Sequence, residues 1–197
     1  TLNGPGETVE FAVKMHQLDE SDVMADRLRR GAFTGRHIEA LVNRLVDFYT
    51  HTAADCEMDP DKAPAWEMNL QEVDRFAGDW IDRRSFDFVR AAARSFNHSR
   101  SSLFQRRRKG RKIKDGHGDL RTDHIYFSGD GIQVIDCIEF SPHLRCLDVV
   151  SELAFLAMDL EFLGFPDQAR NLIRLYVRQA DDLEALPKAA YHHALLA

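Results

Sequence analysis

Gly116-His117-Gly118-Asp119-Leu120-Arg121-Thr122-Asp123-His124, with the two short apolar runs that follow it, decides how this chain is read. Ile125-Tyr126-Phe127 and Ile132-Gln133-Val134-Ile135 flank Ser128-Gly129-Asp130-Gly131, and a Gly-Asp-Gly between apolar runs signals a β-hairpin. The return run leads into Asp136-Cys137-Ile138-Glu139-Phe140. One Asp on a glycine-flanked loop ahead of the hairpin and a second at its far end bring Asp119, His124 and Asp136 to one end of the sheet. Two carboxylates with a further oxygen or nitrogen donor suit a hard divalent cation carried with phosphate. An Asp near such a cation but not needed as its ligand can accept a hydroxyl proton or orient a nucleophile.

The regions on either side read as mostly helical. Asp19-Glu20-Ser21-Asp22 offers N-cap residues before Val23, Met24 and Leu28, with a stop at Gly31. Thr34 caps a longer helix in which Ile38, Leu41, Val42, Leu45, Val46 and Phe48 fall at helical spacing. The acid- and Pro-rich residues 55–64 read as a loop. From Asn69 to about Phe104 the pattern is again helical, with Trp80, Phe86, Phe88, Val89, Ala92 and Phe96 expected to pack, and Arg106 to Lys112 closes that stretch. Residues 148–163, 166–181 and 187 onward read as three more helices, with Pro166 and Pro187 near their starts. The apolar, β-branched run at 8–15, after Asn3-Gly4-Pro5-Gly6, predicts a strand. The fold class expected is α+β, mainly α.

Composition narrows the function classes. The chain has 197 residues, 44% hydrophobic and 29% charged, which suits a globular protein with a sizeable core. Charges interrupt every apolar stretch within about ten residues, well short of the ~20 that span a bilayer. Against 26 basic residues stand 32 acidic ones, a net charge of -6 that disfavours a global nucleic-acid or membrane-surface role. Cys56, Cys137 and Cys146 form no CxxC pair, so free thiols and a cytoplasmic location are expected. No leader-like segment opens the chain, and Thr1 in place of Met reads as a processed chain or a fragment.

The run from His117 to His124, the hairpin after it, Asp136, and Leu147-Asp148-Val149-Val150-Ser151-Glu152-Leu153-Ala154-Phe155 together resemble the aminoglycoside phosphotransferase family and its protein-kinase-like relatives. That family carries His-Gly-Asp, an Asn five residues after the Asp, a strand hairpin and a metal-binding Asp. Here the Asn position is His124. Asp136-Cys137-Ile138-Glu139-Phe140 and Ala154-Phe155-Leu156-Ala157-Met158-Asp159-Leu160 are similar to the bacterial phosphotransferase-like domain often joined to a P-loop ATPase domain.

The resemblance implies an ATP-dependent phosphotransferase acting on a hydroxyl of a small molecule. It implies Asp119 as the catalytic residue, Asp136 and His124 as metal ligands, ATP and Mg²⁺ as cofactors, His117 as a loop-fixing residue and Asp148 as a buried acceptor for catalytic-loop donors. An imidazole favours softer metals than Mg²⁺. By the same resemblance, residues 1–18 are the last small-lobe strand and hinge, with Met15, His16 and Gln17 facing adenine. Residues 19–197 are then the helical large lobe, with the catalytic loop at 116–124 and the metal-bearing strand end at 134–140. Lys14 is read as a solvent-facing strand lysine, and the rest of the small lobe as lying upstream of Thr1. Partners implied are the hydroxyl acceptor and a P-loop ATPase domain or the missing small lobe.

The alternative reading is a non-catalytic, pseudokinase-like nucleotide-binding module that partners an ATPase domain. Nucleic-acid binding would rest on Arg106 to Lys112 alone, and that run is expected instead to be a solvated helix end favoured by the macrodipole.

Overall fold

A computed structural model of the chain describes residues 17–52 and 65–196. The expected strand at 8–15, Lys14, Met15, His16, Cys56 and all of the 55–64 loop lie outside the described residues, while Gln17 lies within them and is exposed. The Asp19 carboxylate accepts from Ser21 N–H at 2.8 Å and opens a 3₁₀ turn, Glu20–Asp22, that leads into α1, Met24–Arg29. In the longer α2, Gly35–His51, the cap is tightened by His37, whose Nδ1 accepts from the Thr34 N–H at 3.0 Å. Ile38, Leu41, Val42, Leu45 and Tyr49 are buried, one stripe at helical spacing, as the sequence predicts.

The C-terminal half supplies the helix about which the core is built. In α7, Val149–Phe162, buried apolar residues occupy most of the circumference, from Val149 and Val150 through Leu153 and Leu156 to Leu160. Such a helix needs cover on several sides. It packs against α8, Pro166–Gln179, and α9, Ala185–Leu196, and α8 packs in turn on α2.

The hairpin forms with the expected turn: β2, Ile125–Ser128, pairs antiparallel with β3, Gly131–Val134, in the register Ile125 to Val134. A second small sheet was not expected. Ile113–Asp115 (β1) pairs with Cys146–Asp148 (β4), the latter following a short helix, α6, Pro142–Arg145. Three-residue strands carrying Lys114, Asp115 and Asp148 are too short and too polar to show a strand period. The observed architecture is nevertheless mainly α with small antiparallel sheets, and no helix among the described residues is long and apolar enough to cross a membrane.

The helical stretch before the 116–124 loop differs from expectation in two ways. It is three helices: α3, Ala65–Asp74; α4, Arg83–Ser99; and α5, Ser101–Lys109. Asp82 begins α4 afresh by accepting from Ser85 N–H at 2.8 Å. Trp80, in the break, is 87% exposed, Phe88 is 75% exposed and Ala92 is exposed, whereas Phe86 and Ala93 carry the buried face. Of the residues expected to pack, Phe86 and Phe96 do so, whereas Trp80 lies in the break between helices and Phe88 and Ala92 fall on the outer face of α4. Trp80→Ser is therefore expected to change the unfolding free energy by less than about 0.5 kcal/mol, measurable by urea denaturation. A loss above about 2 kcal/mol would return Trp80 to the core.

The basic run forms the last turn of α5 with Arg106, Arg108 and Lys109 exposed, the solvated helix end expected, and Arg107 alone departs from it. Arg107 is 1% exposed and donates to both oxygens of Asp148, at 2.7 and 2.8 Å, and to Asp182 at 2.7 Å. Lys188 of α9 donates to Asp148 at 2.7 Å, and the Tyr176 hydroxyl to Asp182 at 3.0 Å. Asp148 is thus the buried partner of Arg107 and Lys188, and its one backbone donor, Val150 N–H at 3.0 Å, belongs to its own helix. The catalytic-loop donors expected at Asp148 go to another carboxylate.

Candidate active site

That carboxylate is Glu152, one turn into α7. It is buried and accepts hydrogen bonds from the backbone N–H of His117, from that of Gly118 at 2.7 Å, and from the Tyr49 hydroxyl. Asp159, two turns further along the same face of α7, accepts from Thr122 N–H at 2.8 Å and from its hydroxyl at 2.6 Å. One helix therefore holds the loop at both ends. The anchoring explains the glycines. A Cβ at Gly116 would lie 2.6 Å from a Glu152 carboxylate oxygen, and one at Gly118 would lie 3.2 Å from the Leu144 carbonyl at a φ of +84°. Neither Glu152 nor Asp159 was singled out from the sequence. Their seven-residue spacing on an apolar helix is the signal that would have found them.

Between these anchors the imidazoles fix the loop backbone. His117 Nδ1 accepts from Asp119 N–H at 3.2 Å, so Nε2 carries the proton it donates to the Ile135 carbonyl at 2.7 Å. His124 Nδ1 donates to the Asp119 carbonyl at 2.9 Å, which leaves Nε2 as its remaining ring nitrogen.

The structure brings Asp119, His124 and Asp136 together. Beyond the last ladder pair, Ile135 N–H donates to the His124 carbonyl at 3.0 Å, which carries the register on to Asp136. At Asp136 the chain turns with φ +65°, a left-handed conformation that Asp tolerates better than most residues. His124 lies between the carboxylates: Nε2 is 3.5 Å from Asp136 Oδ2, and Nδ1 is 3.8 Å from Asp119 Oδ2. His124 is buried, Asp119 is partly buried and the Asp136 carboxylate is exposed, so the cluster opens to solvent on the Asp136 side.

Arg121, also not anticipated from the sequence, spans the cluster, with Nε 3.4 Å from Asp119 Oδ1 and Nη2 3.3 Å from His124 Nε2, the ring nitrogen that faces Asp136. Beside the loop, a cleft of about 460 Å³ is lined mainly by apolar groups of α2 and the hairpin, including Phe48, Leu120, Ile132, Val134 and the exposed Cys137.

A divalent cation can be tested against these groups. Asp136 is an accessible carboxylate and His124 Nε2 faces it, yet no three His, Cys, Asp or Glu side chains among the described residues form a metal-holding group. The residues therefore fit a cation that arrives with its own phosphate ligands and takes one or two from the protein, as Mg²⁺ commonly does. They do not fit a resident all-protein metal centre.

The buried carboxylates differ in their electrostatics. Burial alone would raise Asp148, but the hydrogen bonds and charges of Arg107 and Lys188 outweigh it and bring its pKa from 3.8 down to about 2. Burial raises Glu152, opposed by its three donors. A lowered carboxylate favours the folded state above its unfolded pKa, and that contribution is lost as pH falls between about 4 and 2. From Asp148 it amounts to about 2 kcal/mol. Glu152 acts in the opposite sense, its contribution declining as pH rises through its folded value. The unfolding free energy is therefore expected to fall between pH 4 and pH 2 less steeply in Asp148→Asn than in the native sequence; equal slopes would contradict the pairing.

No family model matches the chain. Over 146 residues the chain is 33% identical to uncharacterized proteins from two strains of Mycobacterium tuberculosis and from Mycobacterium bovis. The match takes in 74% of this chain and 28% of each relative, so the chain spans little more than a quarter of the curated relatives it matches.

Proposed function

We propose that this chain is the large lobe of a protein-kinase-like, ATP-dependent phosphotransferase, similar to the aminoglycoside phosphotransferases, that moves a phosphoryl group to a hydroxyl of a small molecule. The observation that carries this reading is the placement of His124 between Asp119 and Asp136 on a loop held by Glu152 and Asp159. Asp119 is the catalytic residue. Its carboxylate accepts the proton of the acceptor hydroxyl as the acceptor oxygen bonds to the γ-phosphorus and the bond to the departing ADP oxygen breaks. Asp136 and His124 face the phosphates, where a bound Mg²⁺ would offset the charge gathering on the leaving oxygen.

The cleft beside the loop has the size and apolar lining of a small-molecule site. Met15 to Gln17 are assigned to the adenine-facing hinge, residues 1–18 to the small lobe and residues 19–197 to the large lobe. The mycobacterial relatives have ample length beyond the match for a small lobe and a P-loop ATPase domain. The low sulfur content and free thiols suit a cytoplasmic setting.

Arg121 favours a second reading. A guanidinium 3.4 Å from Asp119 competes with an acceptor hydroxyl for that carboxylate, as in a nucleotide-binding module that performs no transfer. Either reading requires cation-dependent nucleotide binding at Asp136. ATP is expected to bind at least tenfold more tightly with Mg²⁺ or Mn²⁺ than with EDTA, with the gain lost in Asp136→Asn. Cation-independent binding, unchanged in that variant, would remove the site.

A further inference from the structure

His124 Nε2 stands between a cation and an anion of the chain itself. It lies 3.3 Å from Arg121 Nη2 and 3.5 Å from Asp136 Oδ2, while Nδ1 donates to the Asp119 carbonyl at 2.9 Å. A guanidinium can only donate, so in its contact with Arg121 the imidazole is neutral and Nε2 is the acceptor. A neutral imidazole that donates through Nδ1 has one lone pair left, and Arg121 takes it. A divalent cation at Asp136 would need the same lone pair from His124. The two partners exclude one another, and the guanidinium charge opposes a second cation beside it.

Arg121 is also loosely held. Its Nε has no hydrogen-bond partner among the described residues, and the approach to Asp119 Oδ1 is 3.4 Å. Arg107 gives the contrast within the same chain: it is 1% exposed and donates to Asp148 at 2.7 and 2.8 Å and to Asp182 at 2.7 Å. The Arg121 side chain is 41% exposed, so it can move without crossing the core. Its one hydrogen-bond acceptor is an uncharged ring nitrogen. Phosphate oxygens offer a guanidinium shorter, charge-assisted and bidentate bonds.

We propose that Arg121 is a latch on the cation site, closed on His124 in the free chain and opened by a nucleotide phosphate. The latch rests on the reading of Asp136 and His124 as the cation–nucleotide site. Closed, Arg121 occupies His124 Nε2 and sits against Asp119. In leaving for a phosphate it releases both groups, so one movement completes the cation site and frees the carboxylate that receives the acceptor proton. Cation and nucleotide then bind with positive coupling, each raising the affinity for the other by the same factor. A cation without nucleotide meets Asp136 alone.

The test is pulsed electron paramagnetic resonance of Mn²⁺ on the full chain, with and without ADP, counting only the bound Mn²⁺ that Asp136→Asn loses. Mn²⁺ alone on the native chain is expected to show no imidazole nitrogen coupling, and Mn²⁺ with ADP to show it. Arg121→Met keeps an unbranched stem but removes the charge and every donor. This variant is expected to show the coupling without ADP and to bind Mn²⁺ alone about tenfold more tightly than the native chain. Both gains should vanish when His124→Gln is added, which separates a latch on His124 from the mere loss of a nearby charge. Imidazole coupling from Mn²⁺ alone on the native chain would overturn the latch while leaving the site intact. So would a correctly folded Arg121→Met that still requires ADP for the coupling. Mn²⁺·ADP bound to the native chain with no imidazole coupling would remove the cation site itself, and the latch with it.

Discussion

Asp119→Asn is expected to lower ATP-dependent phosphoryl transfer by about 10²–10⁴-fold, the range that a positioned proton acceptor contributes. The substitution isolates one oxygen. The backbone at residue 119 is held by imidazoles, its N–H by His117 and its carbonyl by His124, so neither tie depends on the carboxylate. Asn matches Asp in volume and keeps one carbonyl oxygen, but it cannot take the acceptor proton. The loss should fall on kcat, with the affinity for the cation–nucleotide complex within about twofold, because in the proposed site that complex is assigned to Asp136 and His124. An unchanged transfer rate would sink the catalytic assignment of Asp119. Nucleotide binding with no transfer in the native chain would favour the module reading, with Arg121 as the residue occupying the carboxylate.

Arg107→Met is expected to cost about 3–5 kcal/mol of folding free energy, the usual consequence of removing one partner from a buried ion pair. Arg107 and Lys188 are set against Asp148 and Asp182, two cations and two anions shut off from water. Without the guanidinium, one positive charge faces two buried carboxylates, and the Asp182 side chain keeps only the Tyr176 hydroxyl and the more distant Lys112. For a chain of this size the loss corresponds to a drop of roughly 10 °C in Tm. Thermal unfolding of Arg107→Met and Arg107→Lys separates the causes. Lys retains the charge but cannot span both carboxylates, so it should fall between the native chain and Met. A Met variant within about 1 kcal/mol of the native chain would show that the network contributes little.

These two residues also mark how far the sequence could be read. Asp119, His124 and Asp136 were legible because hairpin register converts sequence distance into spatial proximity: a short turn between apolar runs leaves few ways to pair them. Helices such as α2 and α8 were legible for a similar reason, since one apolar stripe at helical spacing permits one buried face. Within the basic run only Arg107 was misread, because it is recruited by partners 41 and 75 residues away, and no local pattern signals such a tertiary pair. Asp148 was assigned the duty that Glu152 performs, because both lie near the start of α7 and only their side-chain directions separate them. Trp80 and Phe88 were placed in the core on aromatic character alone, but Trp80 falls in the break before α4 and Phe88 on its outer face.

The central claim is that Asp119, His124 and Asp136 form one site for a nucleotide-borne cation. Pulsed electron paramagnetic resonance of Mn²⁺·ADP bound to the chain tests it most directly. The account predicts nitrogen coupling from a single imidazole, lost in His124→Gln, and loss of the bound Mn²⁺·ADP itself in Asp136→Asn. Bound Mn²⁺·ADP with no imidazole coupling, or with the same coupling in His124→Gln, would contradict it.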